Sequence, residues 1–322
     1  MTHHAITITA RERAELLEVT PPPLGTQEIR GRTLFSLISP GTELAYNYTG
    51  DKFPTVPGYA AVFMAEEIGS DVKDVVPGAT LFCAGPHRSF QQVEANSVLA
   101  VPRGLAPEKA VLARLMGVSM TTLMTTAARP GDLVAISGAG PVGYLAAQMF
   151  ARSGYDVLVA EPSEERRRYL QEAGLSSVHA RLPHEDAAVA GTVALVVECS
   201  GHEQAVADAC RIVRKGGEVV LVGVPWKKRT DLLAHELLRL VFYKFVVMRS
   251  GWEWMLPSQS TDFRPHSTFS GFATALKWLS KNEVSPNGLS TLVSPVNAQS
   301  AYQNLMQNKA LGLFSIFDWR SS

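Results

Sequence analysis

The stretch DLVAISGAGPVGYLAAQ, residues 132–148, decides how this chain is read. It opens on a short apolar run, DLVAI, and closes on helix-forming residues, so a strand gives way to a helix across the glycines between them. Gly138, Gly140 and Gly143 stand in G-x-G-x-x-G spacing. Each glycine then has a distinct physical role. Gly138 permits the tight turn, Gly140 lets a pyrophosphate approach the backbone, and Gly143 allows close helix–sheet packing. Pro141 and Val142 begin the helix, whose free N–H groups would meet the anion. A glycine-rich turn that merely packs is the competing reading.

Outward from this loop, residues 117–250 alternate β-rich apolar runs with helical patterns, which predicts a doubly wound parallel sheet of Rossmann type. The expected strands are 132–136, 156–160, 177–180, 193–199, 218–222 and 245–250. The intervening runs VGYLAAQMFARSG, SEERRRYLQEAG and EQAVADACRIVRKGG each end at a glycine suited to a helix C-terminus. In the last of them Val206, Ala209, Cys210 and Val213 share one face, which puts Cys210 in the core.

Glu161 lies eighteen residues beyond Gly143, at the end of the second strand, where an acid accepts hydrogen bonds from an adenosine ribose. A carboxylate there repels a 2′-phosphate, so NAD(H) is expected over NADP(H). Arg166, Arg167 and Arg168 follow closely, and an arginine folded toward the ribose would tolerate that phosphate. A solvated acid in a first helical turn is the alternative for Glu161. Ser200, Gly201, Gly223 and Val224 end the fourth and fifth strands and should line the cofactor cleft. Cys199 lies near it without a basic neighbour in sequence.

Residues 1–116 are rich in proline, glycine and threonine between short β runs, and predict an irregular, mainly antiparallel β domain. After 250, FSGFATALKWLSKN and AQSAYQNLMQNK look like amphipathic helices, and LGLFSIFDW like a strand returning to the N-terminal sheet. The expected division is 1–116 with 251–322 as one domain and 117–250 as the inserted dinucleotide-binding domain.

Composition narrows the partners. The 322 residues carry 30 basic against 30 acidic side chains, 46% hydrophobic and 19% charged, which leaves no electrostatic footprint for nucleic acid and points to a small-molecule ligand. LLRLVFYKFVVM is interrupted by Arg239 and Lys244, and residues 1–15 lack a continuous apolar core, so neither a membrane span nor a signal peptide is expected. Three cysteines, Cys83, Cys199 and Cys210, show neither a disulfide framework nor zinc-type spacing. The expectation is a reduced, cytoplasmic protein.

GTEL (41–44), VPGY (56–59), GAGPVG (138–143), VVECSG (196–201), GGEVVLVG (216–223) and the C-terminal helix and strand, in that order, resemble the medium-chain dehydrogenase/reductase superfamily. The resemblance implies a GroES-like catalytic domain split around the Rossmann domain, hydride transfer between nicotinamide and a substrate in an interdomain cleft, and a homodimer. SPGTE (39–43) followed by PGY is similar to a zinc-lacking branch that includes the bacteriochlorophyllide dehydrogenases. At positions where zinc-dependent relatives carry ligands, this sequence has Ser39 and Pro40, Tyr59 with Ala60 in place of His-Glu, and Met116. FCAGPHRSFQQVE (82–94) replaces the four-cysteine loop of a structural zinc. No metal is expected.

Without a Lewis acid, a side chain must supply the proton to a developing alkoxide or accept it from an alcohol. The resemblance places Tyr59 where a ligand imidazole would stand and Thr42 at a proton-relay hydroxyl, which nominates Tyr59 as acid/base, Thr42 as relay and Glu43 beside them. Tyr59 reads equally as a packed aromatic, and Glu43 as a residue behind the site. Tyr46, Tyr48, His87 and Arg114 are further candidates; His87, beside Arg88 in a loop, is read as solvated. Trp252 and Trp254 are read as an apolar pocket wall or as core; where the resemblance implies a basic residue on the pyrophosphate, the sequence offers Lys309 but has Leu313 near the expected spot. The leading expectation is zinc-independent oxidoreduction of a secondary alcohol or ketone. Kept beside it are an NADPH-dependent quinone or enoyl reductase, an S-adenosylmethionine methyltransferase and a non-catalytic nicotinamide-binding protein.

Overall fold

A computed structural model describes residues 2–320. The chain forms two compact units, one comprising residues 1–114, 276–282 and 286–322, the other 115–275 with 283–285. Residues 251–275 thus cluster with the parallel sheet, whereas the expected division ended that domain at 250.

In the first unit, β1 (His3–Ala10) and β2 (Arg13–Val19) form an antiparallel hairpin. A seven-stranded sheet is built on β3 (Glu28–Leu37) and β4 (Ala61–Ile68), with β5 (Thr80–Cys83), β6 (Phe90–Glu94) and β7 (Val98–Ala100). Along β3 the residues Ile29, Thr33 and Phe35 are buried and Arg32 between them is exposed, the period-two alternation of a strand with one face on the core. The one-turn α1 (Pro40–Thr42) leads into a π-helical turn over Glu43–Tyr48, and α2 (Pro107–Ala110) ends this N-terminal portion.

α3 (Ala113–Thr125) begins on the last two residues of the first unit's N-terminal portion and continues into the second unit, which goes on with β8 (Leu133–Ser137), α4 (Pro141–Arg152), β9 (Asp156–Ala160), α5 (Glu164–Glu172) and β10 (Ser177–His179). There follow β11 (Val193–Glu198), α6 (Glu203–Ile212), β12 (Val213–Leu221), α7 (Ala234–Lys244) and β13 (Val247–Ser250). All six strands are parallel, in the order β10-β9-β8-β11-β12-β13. This is the doubly wound arrangement, with its topological switch between β8 and β11. Every residue of β11 is buried, as a central strand covered on both faces requires. Cys210 is buried with Ala209 and Ile212 in this core. The helix before Gly216 is shorter than its pattern suggested: α6 stops at Ile212, and Gly216 falls inside β12 opposite a register shift between Val193 and Leu195.

The C-terminal run 269–282 forms α8 (Thr268–Ser280), followed by β14 (Ser290–Val293), α9 (Ala298–Met306) and β15 (Phe314–Asp318). As expected, β15 returns to the first unit's sheet, pairing antiparallel with β3 and parallel with β14. Tyr302 of α9 and Phe317 and Trp319 at the chain's end are buried against Ile6, Ile38 and Tyr48. Among the described residues no helix is long and apolar enough to cross a membrane.

Candidate functional site

At the end of β8 the glycine loop has the geometry its spacing predicts. Gly138 has φ +87°, a left-handed conformation that only glycine adopts without strain. A Cβ on Gly143 would lie 1.9 Å from the Gly138 carbonyl oxygen, so the helix can approach the turn only without a side chain there. A Cβ on Gly140 would meet nothing within 4 Å. The loop is therefore closed by Gly143 and open in front of Gly140, which caps α4 without any side-chain hydrogen bond. Pro141 and Val142 occupy the first helical turn, where the backbone N–H groups lack intrahelical acceptors. The donors and the open space fit a dinucleotide pyrophosphate.

Glu161 stands next to this loop and is 5% exposed. Its carboxylate accepts from the Ala139 N–H at 2.7 Å and the Ser163 N–H at 2.9 Å, tying the end of β9 to the turn. Two bonds leave lone pairs for ribose hydroxyls. Arg166 lies 3.9 Å away and is half-exposed, whereas Arg167 donates to the carbonyls of Glu161 and Pro162. Across the switch point, buried Glu198 accepts from the N–H groups of Ser200 and Gly201 and from the Ser200 hydroxyl, shaping the turn after β11. Burial pushes its carboxyl above the usual range. Gly223 packs on Gly201 and Cys199 so closely that a Cβ would sit 2.4 Å from the Gly201 nitrogen, and Val224 is 44% exposed beside it. Loop, Glu161, Ser200, Gly223 and Val224 thus share the carboxyl-terminal edge of one sheet.

In the first unit, Tyr59 follows Gly58, whose φ of +96° turns the chain before β4. A Cβ at Gly58 would lie 2.8 Å from the ring of His87, so the turn is packed against that imidazole. The Tyr59 O–H donates to Ser39 Oγ, and Thr42 Oγ1 lies at 3.5 Å. Arg114 covers the ring face, its guanidinium carbon 4.6 Å from the centroid, a cation–π distance. Burial pushes the phenol above its ordinary value, while the Ser39 and Thr42 hydrogen bonds and the Arg114 charge pull it down.

Behind this group lies a buried polar chain. Glu43 has no exposed surface and accepts from the Ser39 N–H at 2.7 Å, the Tyr302 O–H at 2.6 Å and His87 Nε2 at 2.9 Å. His87 Nδ1 is 2.8 Å from Ser36 Oγ, which accepts from Trp319 Nε1–H at 2.8 Å. His87 is thus fully buried, correcting the solvated loop position expected for it. Its neighbour Arg88 and the strand after it gave no sequence signal that a residue 44 positions from Glu43 would reach it.

The other candidates fall outside this group. Tyr48 is buried and stacks on Tyr302 at 5.2 Å, and Tyr46 is 58% exposed. Trp252 and Trp254 are 57% and 62% exposed and belong to the second unit. Lys309 is exposed and Leu313 buried. Burial holds the Cys83 thiol at about 12 and the Cys210 thiol at about 11 and pushes Cys199 up as well, so none is poised as a nucleophile.

The side chains at the positions where the resemblance implies zinc ligands do not suit that ion. Ser39 and Tyr59 offer neutral hydroxyls bonded to each other, and both oxygens of Glu43 already serve three donors. Thiolate, imidazole and carboxylate are what zinc takes. Among the described residues no three His, Cys, Asp or Glu side chains form a metal-binding group.

Residues 141–253 match the family described as zinc-binding dehydrogenase. That span covers α4 to the end of the parallel sheet, and none of the positions discussed for zinc lies within it. An alcohol dehydrogenase of Geobacillus stearothermophilus is 27% identical over 212 residues, 54% of this chain and 62% of its own length. An L-galactonate-5-dehydrogenase of Escherichia coli is 30% identical over 130 residues, 38% of this chain and 37% of its own. The chain thus matches less than two thirds of either relative. The crystal structure of galactitol-1-phosphate dehydrogenase from Escherichia coli superposes with a TM-score of 0.82 at 18% identity, over 98% of this chain and 99% of that one. The chain belongs to the medium-chain dehydrogenase/reductase superfamily. For a member of that superfamily the glycine loop is the expected dinucleotide cradle, and the methyltransferase reading falls away. The likeness of fold leaves the chemistry to the residues around Tyr59.

Proposed function

We propose that this chain is a zinc-independent dehydrogenase/reductase that moves a hydride between NAD(H) and a secondary alcohol or ketone of polyol or sugar-acid type. The observation that carries the proposal is the Tyr59–Ser39–Thr42 hydroxyl cluster, in the motifs where the resemblance implies a zinc site. The dinucleotide would supply the hydride or take it up. Gly138, Gly140, Pro141, Val142 and Gly143 would hold its pyrophosphate, Glu161 its ribose, and Ser200, Gly223 and Val224 would line its path. Tyr59 would give its proton to the oxygen of a reduced carbonyl and recover it through Ser39 or Thr42; in oxidation the direction reverses. Ser39 is the nearer partner, so the relay assigned by sequence to Thr42 is shared. The substrate class follows the relatives, which are named for alcohol, galactonate and galactitol-1-phosphate.

The test is turnover of a panel of secondary alcohols, aldonates and matching ketones with NAD(H) and NADP(H), before and after dialysis against a chelator. Turnover with NAD(H) that survives the chelator is expected; chelator-sensitive turnover would return the site to metal chemistry. Replacing Glu161 by Gln keeps an acceptor for the Ala139 N–H and removes the charge. It should raise the NADPH-to-NADH ratio of kcat/KM by about tenfold, since one charge near a phosphate is worth about 1 kcal/mol or more. An unchanged ratio would take Glu161 out of cofactor choice. Preference for NADPH in the unaltered protein, with activated double bonds as substrates, would favour the quinone or enoyl reductase reading. No turnover with any of them would leave a non-catalytic binding protein.

A homodimer in the cytoplasm completes the proposal. Strand β13 is one of the two outer strands of the parallel sheet, with Val247 50% exposed. Beside it α7 and its C-cap expose Leu238 at 66%, Phe242 at 75% and Phe245 at 71%. An uncovered edge with an apolar flank is a surface that a second copy would pair with. Sedimentation should give twice the 34.9 kDa chain mass, and Val247→Lys with Phe242→Glu should give the monomer. A wild-type monomer at micromolar concentration would rule this out.

A further inference from the structure

The buried chain behind Tyr59 is polar, fully enclosed and directional. Trp319 Nε1–H can only donate, so Ser36 Oγ accepts from it and has its own proton to give to His87 Nδ1. With that proton given, His87 has its own on Nε2, the tautomer that also serves Glu43 at 2.9 Å as a donor. With Tyr302 O–H and Ser39 N–H, this makes three donors converging on one carboxyl group, a pattern that suits the carboxylate. Burial, and then the Glu43 charge, push the Tyr302 phenol well up, so it stays a donor. From Ser39 the chain continues to Tyr59: the Ser39 amide is fixed on Glu43, and its hydroxyl is the partner of the phenol. His87 also donates its own N–H to the Pro57 carbonyl at 2.9 Å and packs its ring on Gly58. It therefore braces the Tyr59 turn from two directions.

We propose that His87 and Glu43 are positioning residues for the Tyr59 hydroxyl, acting through Ser39, with Glu43 held one hydrogen bond behind Ser39 and Arg114 on the face of the ring. The proposal rests on the reading of Tyr59 as acid/base. The charged groups acting on the phenol are Glu43, from the π-helical turn, and Arg114, from α3; Ser39 and Thr42 contribute hydroxyls, and His87 reaches it only through Gly58 and Glu43. Burial is the largest influence and raises the phenol's pKa; Arg114 lowers it and Glu43 raises it. The cation on the ring face and the Ser39 and Thr42 hydrogen bonds thus oppose burial, while the Glu43 charge adds to it.

The test reads Tyr59 directly. The phenolate ultraviolet absorbance of each variant is titrated against the same variant carrying Tyr59→Phe, so that the other tyrosines cancel. Glu43→Gln should lower the Tyr59 pKa and Arg114→Met should raise it, each by about one pH unit, the lower end of what a nearby charge does. Shifts in the same direction, or none in folded variants, would overturn the electrostatic part. A second pair covers the case in which Glu43→Gln does not fold. His87→Gln keeps a donor toward Glu43 and is expected to recover at least about tenfold of the kcat that His87→Leu loses, with KM changing little in either. Equal kcat in the two, or a loss confined to KM, would overturn the positioning role. If Tyr59→Phe retains turnover, the functional reading fails, while opposed titration shifts would still stand; the two failures are therefore distinguishable.

Discussion

Tyr59→Phe is expected to slow hydride transfer by at least about 10²-fold, the low end of a general acid/base contribution, and to leave NADH affinity unchanged. The ring is kept, so the Arg114 contact on its face and the turn at Gly58 survive; only the proton and its hydrogen bond to Ser39 are removed. The oxygen of a reduced carbonyl then has no phenol to take a proton from. The pH dependence has a definite sign. Burial holds the phenol above its ordinary value, so it is protonated at neutral pH and competent as a donor for reduction. Reduction should persist below that raised pKa and fall as pH rises through it, and the descending limb should vanish in the Phe variant. Single-turnover kinetics with NADH and a ketone substrate, followed across pH, provide the measurement. Near-normal rates in Tyr59→Phe would leave the phenol as packing.

The second large effect separates two glycines of one loop. Gly143→Ala should lose both stability and dinucleotide binding, because its Cβ would lie 1.9 Å from the Gly138 carbonyl oxygen and α4 must move away from the turn. Overpacking against backbone costs about 1–3 kcal/mol, which lowers Tm by several degrees. Gly140→Ala meets no atom within 4 Å and has φ −66°, which alanine adopts freely. It should fold with Tm within about 2 °C of wild type, since an N-cap change of this kind costs under about 1 kcal/mol. Its methyl group would nevertheless occupy the space offered to the pyrophosphate, and the NADH Kd should rise at least about tenfold, or about 1.4 kcal/mol. Calorimetry and NADH fluorescence titration read the two quantities separately. Unchanged NADH affinity in Gly140→Ala would show that the open space is not where the dinucleotide lies.

The two halves of the molecule were legible to different degrees. Five of the six parallel strands were bounded by their apolar runs to within two residues; for the central strands the reason is that a strand buried on both faces must be apolar throughout. The run EQAVADACRIVRKGG was harder to divide: α6 ends at Ile212 and the strand begins at once, so that Val213, on the helix's apolar stripe by sequence, is buried as a strand residue. Helical and extended apolar spacing coincide over so few residues. Tyr59, Thr42 and Glu43 were nominated by their motif, and the structure brings them together with Ser39 in an arrangement the motif did not give. Ser39, read only as a lost ligand, is the closest partner of the phenol.

The sequence by itself determined the strand–loop–helix–strand unit: the spacing of Gly138, Gly140 and Gly143 and the place of Glu161 after the next strand follow from local backbone geometry. It also put hydroxyl side chains, Ser39, Thr42 and Tyr59, in the two motifs read as one site. Only the tertiary structure decided what stands behind that hydroxyl. His87 comes to Glu43 from 44 residues away and Tyr302 from 259, joined by β pairing and core packing that no local pattern encodes. A buried carboxylate must collect its donors from wherever the fold brings them, and here the fold brings them to the back of the Tyr59 turn.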